Sequence, residues 1–185
     1  MERVEMNDGS EKEYDKKLEE DFVENLNVKK KKLTQYELKE KIVEFLADNK
    51  ICTLATCLNN IPRSTPLRYR SKDLTIYILT EGGMKVKNIM GNPSVSVSLY
   101  GDYSGFQSVK GLQIWGKAEI IDPKEGDKYS KARKIINVEE REDLKKLGIK
   151  DVRPDMKIIK IETERARYLS FPEGILNQIL TVRKD

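Results

Sequence analysis

Two lysines that follow a double-glycine turn have a spacing suited to binding an anion. Gly82 and Gly83 interrupt a β-type pattern, and Lys85 and Lys87 fall in the first turn of the short helix predicted for residues 84–90. A helix that begins after such a turn presents free backbone N–H groups, and nearby ammonium groups add positive charge. Taken alone, the pattern is more often a pair of solvated helix lysines, so the rest of the sequence must decide between the two interpretations.

The composition excludes several kinds of active site. The 185-residue chain contains no histidine, which is the usual general base, zinc ligand and haem ligand. Serine and cysteine triads are also excluded, because they need a histidine, and no metal site is predicted. Cys52 and Cys57 have an odd spacing that would point them to opposite faces of a strand, so no disulfide between them is expected. Any catalysis therefore depends on a cofactor, or on carboxylates and lysines.

Charge and hydropathy limit the expected partners. The net charge is +4, and most basic residues have acidic neighbours in the sequence. The unmatched run of lysines at positions 29–32 is interpreted as a solvated linker, so nucleic acid is not an expected partner. No apolar run is long enough to cross a membrane, and the N-terminus is acidic where a leader would be basic and apolar. The chain is therefore expected to be cytoplasmic.

The distribution of apolar residues predicts one domain with extended ends, since a chain of this length supports one core of ordinary size. Residues 1–33 are highly charged and are expected to form a loosely held helix or a partly disordered arm, with a partner-binding helix as the alternative. Residues 34–170 contain the core. Residues 171–185 are expected to be a C-terminal tail with a short helix, and the segment with Arg165, Arg167, Tyr168 and Phe171 could add an edge strand.

The order of predicted elements indicates a mainly β fold with flanking helices. Residues 34–37 have the form of a capping box, which begins a first helix that ends near Asn49. Six strands are predicted at residues 51–58, 63–70, 74–80, 94–99, 109–122 and 156–161, with further helices at 84–90 and 123–146. Gly116 is the predicted site of a bulge or bend in the fifth strand. Because closure removes exposed strand edges, the pattern favours a six-stranded antiparallel barrel.

Five segments in this order resemble a known family. They are residues 61–69 (IPRSTPLRY), 76–80 (IYILT), 83–89 (GMKVKNI), 92–97 (NPSVSV) and 112–119 (LQIWGKAE). Together, within about residues 38–122, they resemble the pyridoxamine 5'-phosphate oxidase-like family. The resemblance implies a split β-barrel homodimer that binds FMN in a groove between its subunits and holds the phosphate with basic side chains.

The same resemblance implies five cofactor-binding residues. Arg63 and Arg68 match paired basic positions of the second strand, and Thr80 lies within one position of a strand-end threonine. Lys85 and Lys87 match basic residues of the short helix. Arg63 and Arg68 have opposite parity along a strand, so they share a face only if a bulge lies between them. Lys85 and Arg68 are expected to contact the phosphate.

Departures from the family pattern limit the predicted reaction. Met84 replaces an arginine, Gly111 replaces a glutamine, and a C-terminal signature of tryptophan, histidine and arginine is absent. Oxidation of pyridoxine phosphate itself is therefore not expected. The chain is predicted to be an FMN-dependent oxidoreductase acting on an unidentified small molecule. The alternatives are a non-enzymatic flavin or ligand carrier and a reductase that uses a deazaflavin coenzyme.

Overall fold

Eight antiparallel strands form one curled sheet in the computed structural model, which describes residues 29–137, 146–148 and 155–182. The strands are β1 (Ile51–Leu58), β2 (Ile61–Arg68), β3 (Arg70–Lys72), β4 (Thr75–Thr80), β5 (Ser94–Tyr100), β6 (Lys110–Ile121), β7 (Lys157–Ser170) and β8 (Ile175–Thr181). Their order in the sheet is β2-β1-β5-β6-β7-β4-β3, and β8 pairs with the second half of β7. This architecture is the predicted split barrel, with eight strands instead of six.

The two additional strands arise at places where the local pattern was ambiguous. Tyr69 separates β3 from β2, so the predicted second strand is divided into two. β7 continues past residue 161 to Ser170, and the chain then turns back into β8. Ile175 and Leu180 are buried in the core, and this burial favours pairing with β7. The prediction of a short helix in the C-terminal tail is therefore wrong for the part of the tail that is described, which ends at residue 182.

Within the described ranges, the sheet is accompanied by the α-helices α1 (Gln35–Asp48), α2 (Met84–Gly91) and α3 (Asp127–Ile136). Thr34 and Glu37 form the predicted capping box of α1. The buried side of α1 closes the barrel with Leu38, Ile42, Phe45 and Leu46. Residues 138–145 of the third predicted helix lie outside the described residues. No helix within the described ranges is both long enough and apolar enough to span a bilayer.

β2 is an edge strand that is accessible on both faces. None of its eight residues is buried, and its register with β1 is unbroken from Arg68 opposite Ile51 to Ile61 opposite Leu58. The Tyr69 N–H donates to the Lys50 carbonyl at 3.0 Å, which continues the ladder. Residues of even number in β2 therefore direct their backbone groups away from β1.

The free side of β8 is covered by the segment that precedes α1. The Lys31 N–H donates to the Gly174 carbonyl at 2.8 Å, and the Leu33 N–H donates to the Gln178 side chain at 2.9 Å. Leu33 is buried in the core. Residues 29–33, which the sequence assigned to the arm, therefore pack on the barrel. Residues 1–28 of the predicted arm lie outside the described residues.

Candidate functional site

The turn between β4 and α2 is joined by side-chain hydrogen bonds. The Thr80 hydroxyl accepts from the Gly82 N–H at 3.2 Å, and the Lys85 ammonium donates to the Gly82 carbonyl at 2.9 Å. Gly82 and Gly83 have φ angles of +116° and +84°, a conformation that side chains with a Cβ rarely adopt. Thr80 is only 3% exposed. Its position makes it a residue that holds the turn, and Lys85 is the accessible cation beside it.

The N-terminus of α2 has the properties of an anion site. Gly83 is its N-cap, and no described side chain caps the helix. The N–H groups at the start of a helix have no partners within the helix, and they carry the positive end of its dipole. Lys85 adds a positive charge within the same turn. This combination can hold a phosphate group.

A buried hydrogen bond connects α2 to the sheet next to Arg63. The Asn88 side-chain amide donates to the Thr56 hydroxyl at 3.1 Å, and both residues are buried. Arg63 lies directly opposite Thr56 in the β1–β2 ladder, and opposite residues share a face of the sheet. Lys85 precedes Asn88 by about one helical turn and lies on the same side of α2. Arg63 and Lys85 are therefore placed on the same side of the sheet, next to this hydrogen bond.

Arg68 and Lys87 do not join this group. Because the β1–β2 ladder contains no bulge, Arg68 lies on the opposite face from Arg63. Five residues of strand also separate the two arginines by about 17 Å. Lys87 is exposed on α2, whereas its neighbours Val86 and Asn88 are buried. The structure thus brings Thr80, Lys85 and Arg63 to one end of the barrel and leaves Arg68 and Lys87 elsewhere.

Thr56 and Asn88, which position α2 on the sheet, were not predicted from the sequence. A weak signal was present, because asparagine has a low helix propensity and Asn88 stands inside a short helix. Its partner on a distant strand could not be inferred from local pattern.

Other charged groups near this end of the barrel are already paired. Lys157, which is opposite Thr80 in the β4–β7 ladder, forms an ion pair with Asp122 at 2.7 Å. The hydrogen bond from Lys157 holds the pKa of the Asp122 carboxyl below its ordinary value. Lys157 is therefore engaged, and Lys85 and Arg63 are the better candidates for phosphate ligands. The described residues include no group of three or more metal-ligating side chains that could hold a metal ion.

Along one row that crosses the strands, the face of the sheet opposite the core, here called the outer face, has a shallow half and a raised half. A row across the strands reads Ser64, Ala55, Ser96, Trp115 and Arg165. The first three side chains are small. The Arg165 guanidinium stacks on Trp115 at 4.0 Å from the ring centroid. The outer face is therefore stepped between β5 and β6.

Comparison with known proteins identifies sequence relatives. The family model described as pyridoxamine 5'-phosphate oxidase matches residues 38–170. General stress protein 26 of Bacillus subtilis (strain 168) is 27% identical over 143 residues, which make up 76% of this chain and 94% of that protein. The family match extends across the barrel from α1 to the end of β7.

Two solved structures with different ligands in their descriptions share the fold. A FAD-binding protein from Mesorhizobium loti has a TM-score of 0.56 at 20% identity, covering 72% of this chain and 90% of that one. A heme binding protein from Mycobacterium smegmatis has a TM-score of 0.57 at 16% identity, covering 80% of this chain and 57% of that one. At these identities the likeness shows the fold alone.

Proposed function

Because the chain belongs to the pyridoxamine 5'-phosphate oxidase family, we propose that it binds FMN and acts as a flavin-dependent oxidoreductase on a small molecule. The observation that carries this proposal is the uncapped N-terminus of α2, which has Lys85 in its first turn and Arg63 on the same side of the sheet. When bound, the flavin supplies the electron or hydride transfer. The protein binds and orients it.

The phosphate is proposed to bind at the start of α2. It accepts hydrogen bonds from the first N–H groups of the helix and from the ammonium of Lys85, which now donates to Gly82. Arg63 supplies a second positive charge. Thr80 acts as a positioning residue, because its hydroxyl fixes the turn from a buried location. Arg68 is too far along β2 to contact the same phosphate, so any contact it makes with the cofactor is with another part.

The stepped outer face supports the proposal of a homodimer. In a twofold-symmetric contact the same surface meets itself in opposite orientation. The raised half, with Trp115 and Arg165, then lies over the shallow half of the second copy, which offers Ala55 and Ser96. This pairing gives shape complementarity without rearrangement of the sheet.

A charge placed on the shallow half tests the homodimer. Ser98→Arg adds a long cation to the exposed outer face at β5, and Ser130→Arg adds the same side chain to an exposed position of α3. Sedimentation velocity should show a dimer for the parent chain and Ser130→Arg, and monomer for Ser98→Arg. A parent chain that sediments as a monomer with full flavin occupancy would remove the dimer from the proposal.

The visible spectrum of the purified protein tests the cofactor. Oxidised FMN gives two absorption bands, and its release on denaturation allows the flavin to be identified by chromatography. A single band of deazaflavin type, or the intense band of haem, would contradict FMN binding. Reduction of the bound flavin followed by reoxidation in air would show that it is redox-active. A bound flavin that does not undergo reduction and reoxidation would favour a non-enzymatic flavin carrier.

A further inference from the structure

A cavity of about 780 Å³ lies where the sheet divides. β7 pairs with β4 as far as Ile161, and it pairs with β8 from Arg165 onward. Between these two positions of β7, the strands β4 and β8 separate from each other. The first turn of α1 contributes Gln35, Tyr36 and Lys39 to the wall above the gap. The volume is within the range of about 300 to 1,000 Å³ that is usual for small-molecule sites.

Hydrogen bonds across the gap hold the cavity in shape. The Thr163 hydroxyl donates to the Leu74 carbonyl at 2.6 Å, which connects β7 to the residue before β4. The Gln35 side chain donates to the Ile179 carbonyl at 3.1 Å and accepts from the Thr181 N–H at 3.4 Å, which connects α1 to β8. The cavity is therefore formed before any ligand enters.

The charged groups at the rim are already paired with each other. Lys39 forms an ion pair with Asp73 at 3.4 Å, and Glu162 forms one with Lys160 at 2.7 Å. An anionic ligand would have to compete with a carboxylate for each of these lysines. The rim therefore offers little to a phosphate or a carboxylate.

The remaining lining combines apolar surface, hydroxyl groups and an aromatic ring. Leu74 and Leu180 supply the apolar part, and Thr75 and Thr181 supply hydroxyls. Tyr36 lines the opening with 72% of its surface exposed, where its ring is available for stacking. This chemistry suits a flat molecule with an apolar face and polar edges.

We infer that this cavity is a second small-molecule site, which takes a neutral heteroaromatic compound of the nucleoside kind. The ring of the ligand stacks on Tyr36, and its polar edges meet the hydroxyls of Thr75 and Thr181. The site is separate from the proposed phosphate site, because neither Arg63, Thr80 nor Lys85 lines it. Thr75 precedes Thr80 by five residues of β4, a distance of about 17 Å.

Adenosine and AMP are the matched probes, since they share a ring system and differ in charge. Each is titrated into the full isotope-labelled chain while the amide resonances of Thr75, Thr163 and Thr181 are followed by NMR. Adenosine should shift these resonances, and AMP should bind about fivefold more weakly because its phosphate would lie near the rim carboxylates of Asp73 and Glu162. Equal affinities for the two probes, or no shift at millimolar adenosine, would overturn the inference.

Two exposed tyrosines provide the matched variants. Tyr36→Ala should weaken adenosine binding about tenfold through the loss of stacking. Tyr103→Ala removes a tyrosine of similar exposure, 74% against 72%, that does not line the cavity. It should leave adenosine affinity unchanged. If both variants lose affinity equally, or neither does, adenosine binds elsewhere and the assignment fails.

Discussion

Lys85 and Lys87 are two residues apart in α2 but have different surroundings. Lys85 is half-buried and bonded to the β4–α2 turn, whereas Lys87 is exposed. Lys85→Ala should therefore weaken FMN binding by about 1.5 to 3 kcal/mol, or about ten- to hundredfold. Lys87→Ala should have a much smaller effect. Quenching of flavin fluorescence during titration measures both dissociation constants.

Riboflavin is the control for this prediction because it lacks the phosphate. Its weaker affinity should hardly change in Lys85→Ala or in Arg63→Ala. Arg68→Ala should change the affinities for FMN and riboflavin alike, since Arg68 lies on the other face of β2 and far from Lys85. A loss specific to FMN in Arg68→Ala would show that the phosphate lies at the other end of the strand.

The two cysteines should differ in reactivity. Burial raises the pKa of the Cys52 thiol to about 12, so at about pH 8 almost none of it is the reactive thiolate. Cys57 is only half-buried. Iodoacetamide should add one group to the native protein, at Cys57, and none to Cys57→Ser. Mass spectrometry counts the labels. Two labels on the native chain would mean that β1 opens readily.

Gly116 is required by the close approach of β6 and β7. A Cβ atom at this position would lie 2.2 Å from the Glu162 carbonyl oxygen, where the register of the two strands shifts. Gly116→Ala should lower the free energy of unfolding by about 1 to 3 kcal/mol. Gly111→Ala, in the same strand, places its Cβ 3.8 Å from its nearest neighbour and should be nearly neutral. Urea unfolding distinguishes them, and equal losses would refute the steric explanation.

An ion pair joins α1 to the turn between β7 and β8. The Lys41 ammonium lies 2.8 Å from the Glu173 carboxylate. Burial by itself raises the pKa of Glu173, but the hydrogen bond and charge of Lys41 hold this pKa below its ordinary value of 4.5. The stabilisation is therefore present above that value and is lost as the pH falls through the lowered pKa.

Glu173→Gln should reduce the free energy of unfolding at neutral pH by about 0.5 to 1 kcal/mol, because both partners are partly exposed. In acid, where the glutamate of the parent chain is protonated, the difference between the two proteins should vanish. Unfolding curves at a series of pH values, from neutral into acid through the titration of the carboxyl, measure it. A difference that persists in acid would indicate lost packing instead of a lost ion pair.

Elements with strong local signals were predicted well. Elements whose position depends on which strand or helix they pack against were not. The capping box at Thr34 was read from a few adjacent residues. The register shifts at Gly116 as expected, but the extra residue there is Glu164 of β7 and does not belong to β6. The second half of β7 was expected as a separate edge strand and not as a continuation of the sixth strand, because its outward residues, such as Arg165 and Arg167, obscure the alternation. The candidate site divides in the same way. Lys85 follows from the glycine turn, but the Thr56–Asn88 bond depends on how α2 packs on β1.

At the scale of the whole molecule, the segment before α1 is bonded to the barrel from Lys31 onward. Removal of residues 1–28 should leave flavin affinity and the unfolding transition unchanged, since the proposed cofactor residues all lie within the barrel. Leu33→Ala removes a buried core side chain and should cost about 2 to 5 kcal/mol. Thermal unfolding with and without FMN measures both the stability of each variant and its stabilisation by the flavin. Release of flavin on trimming alone would give residues 1–28 a role in the site.

The exposed edge of β2 also affects how the isolated chain behaves at high concentration. The backbone nitrogens that point outward belong to residues 62, 64, 66 and 68. Two of these residues are Pro62 and Pro66, which have no N–H to donate. An intruding strand would therefore find only half of the N–H donors of this edge, although all of its outward carbonyls remain. Long unprotected edges template fibrils and insoluble aggregates. The two prolines allow β2 to remain open on both faces without becoming a nucleus for such growth.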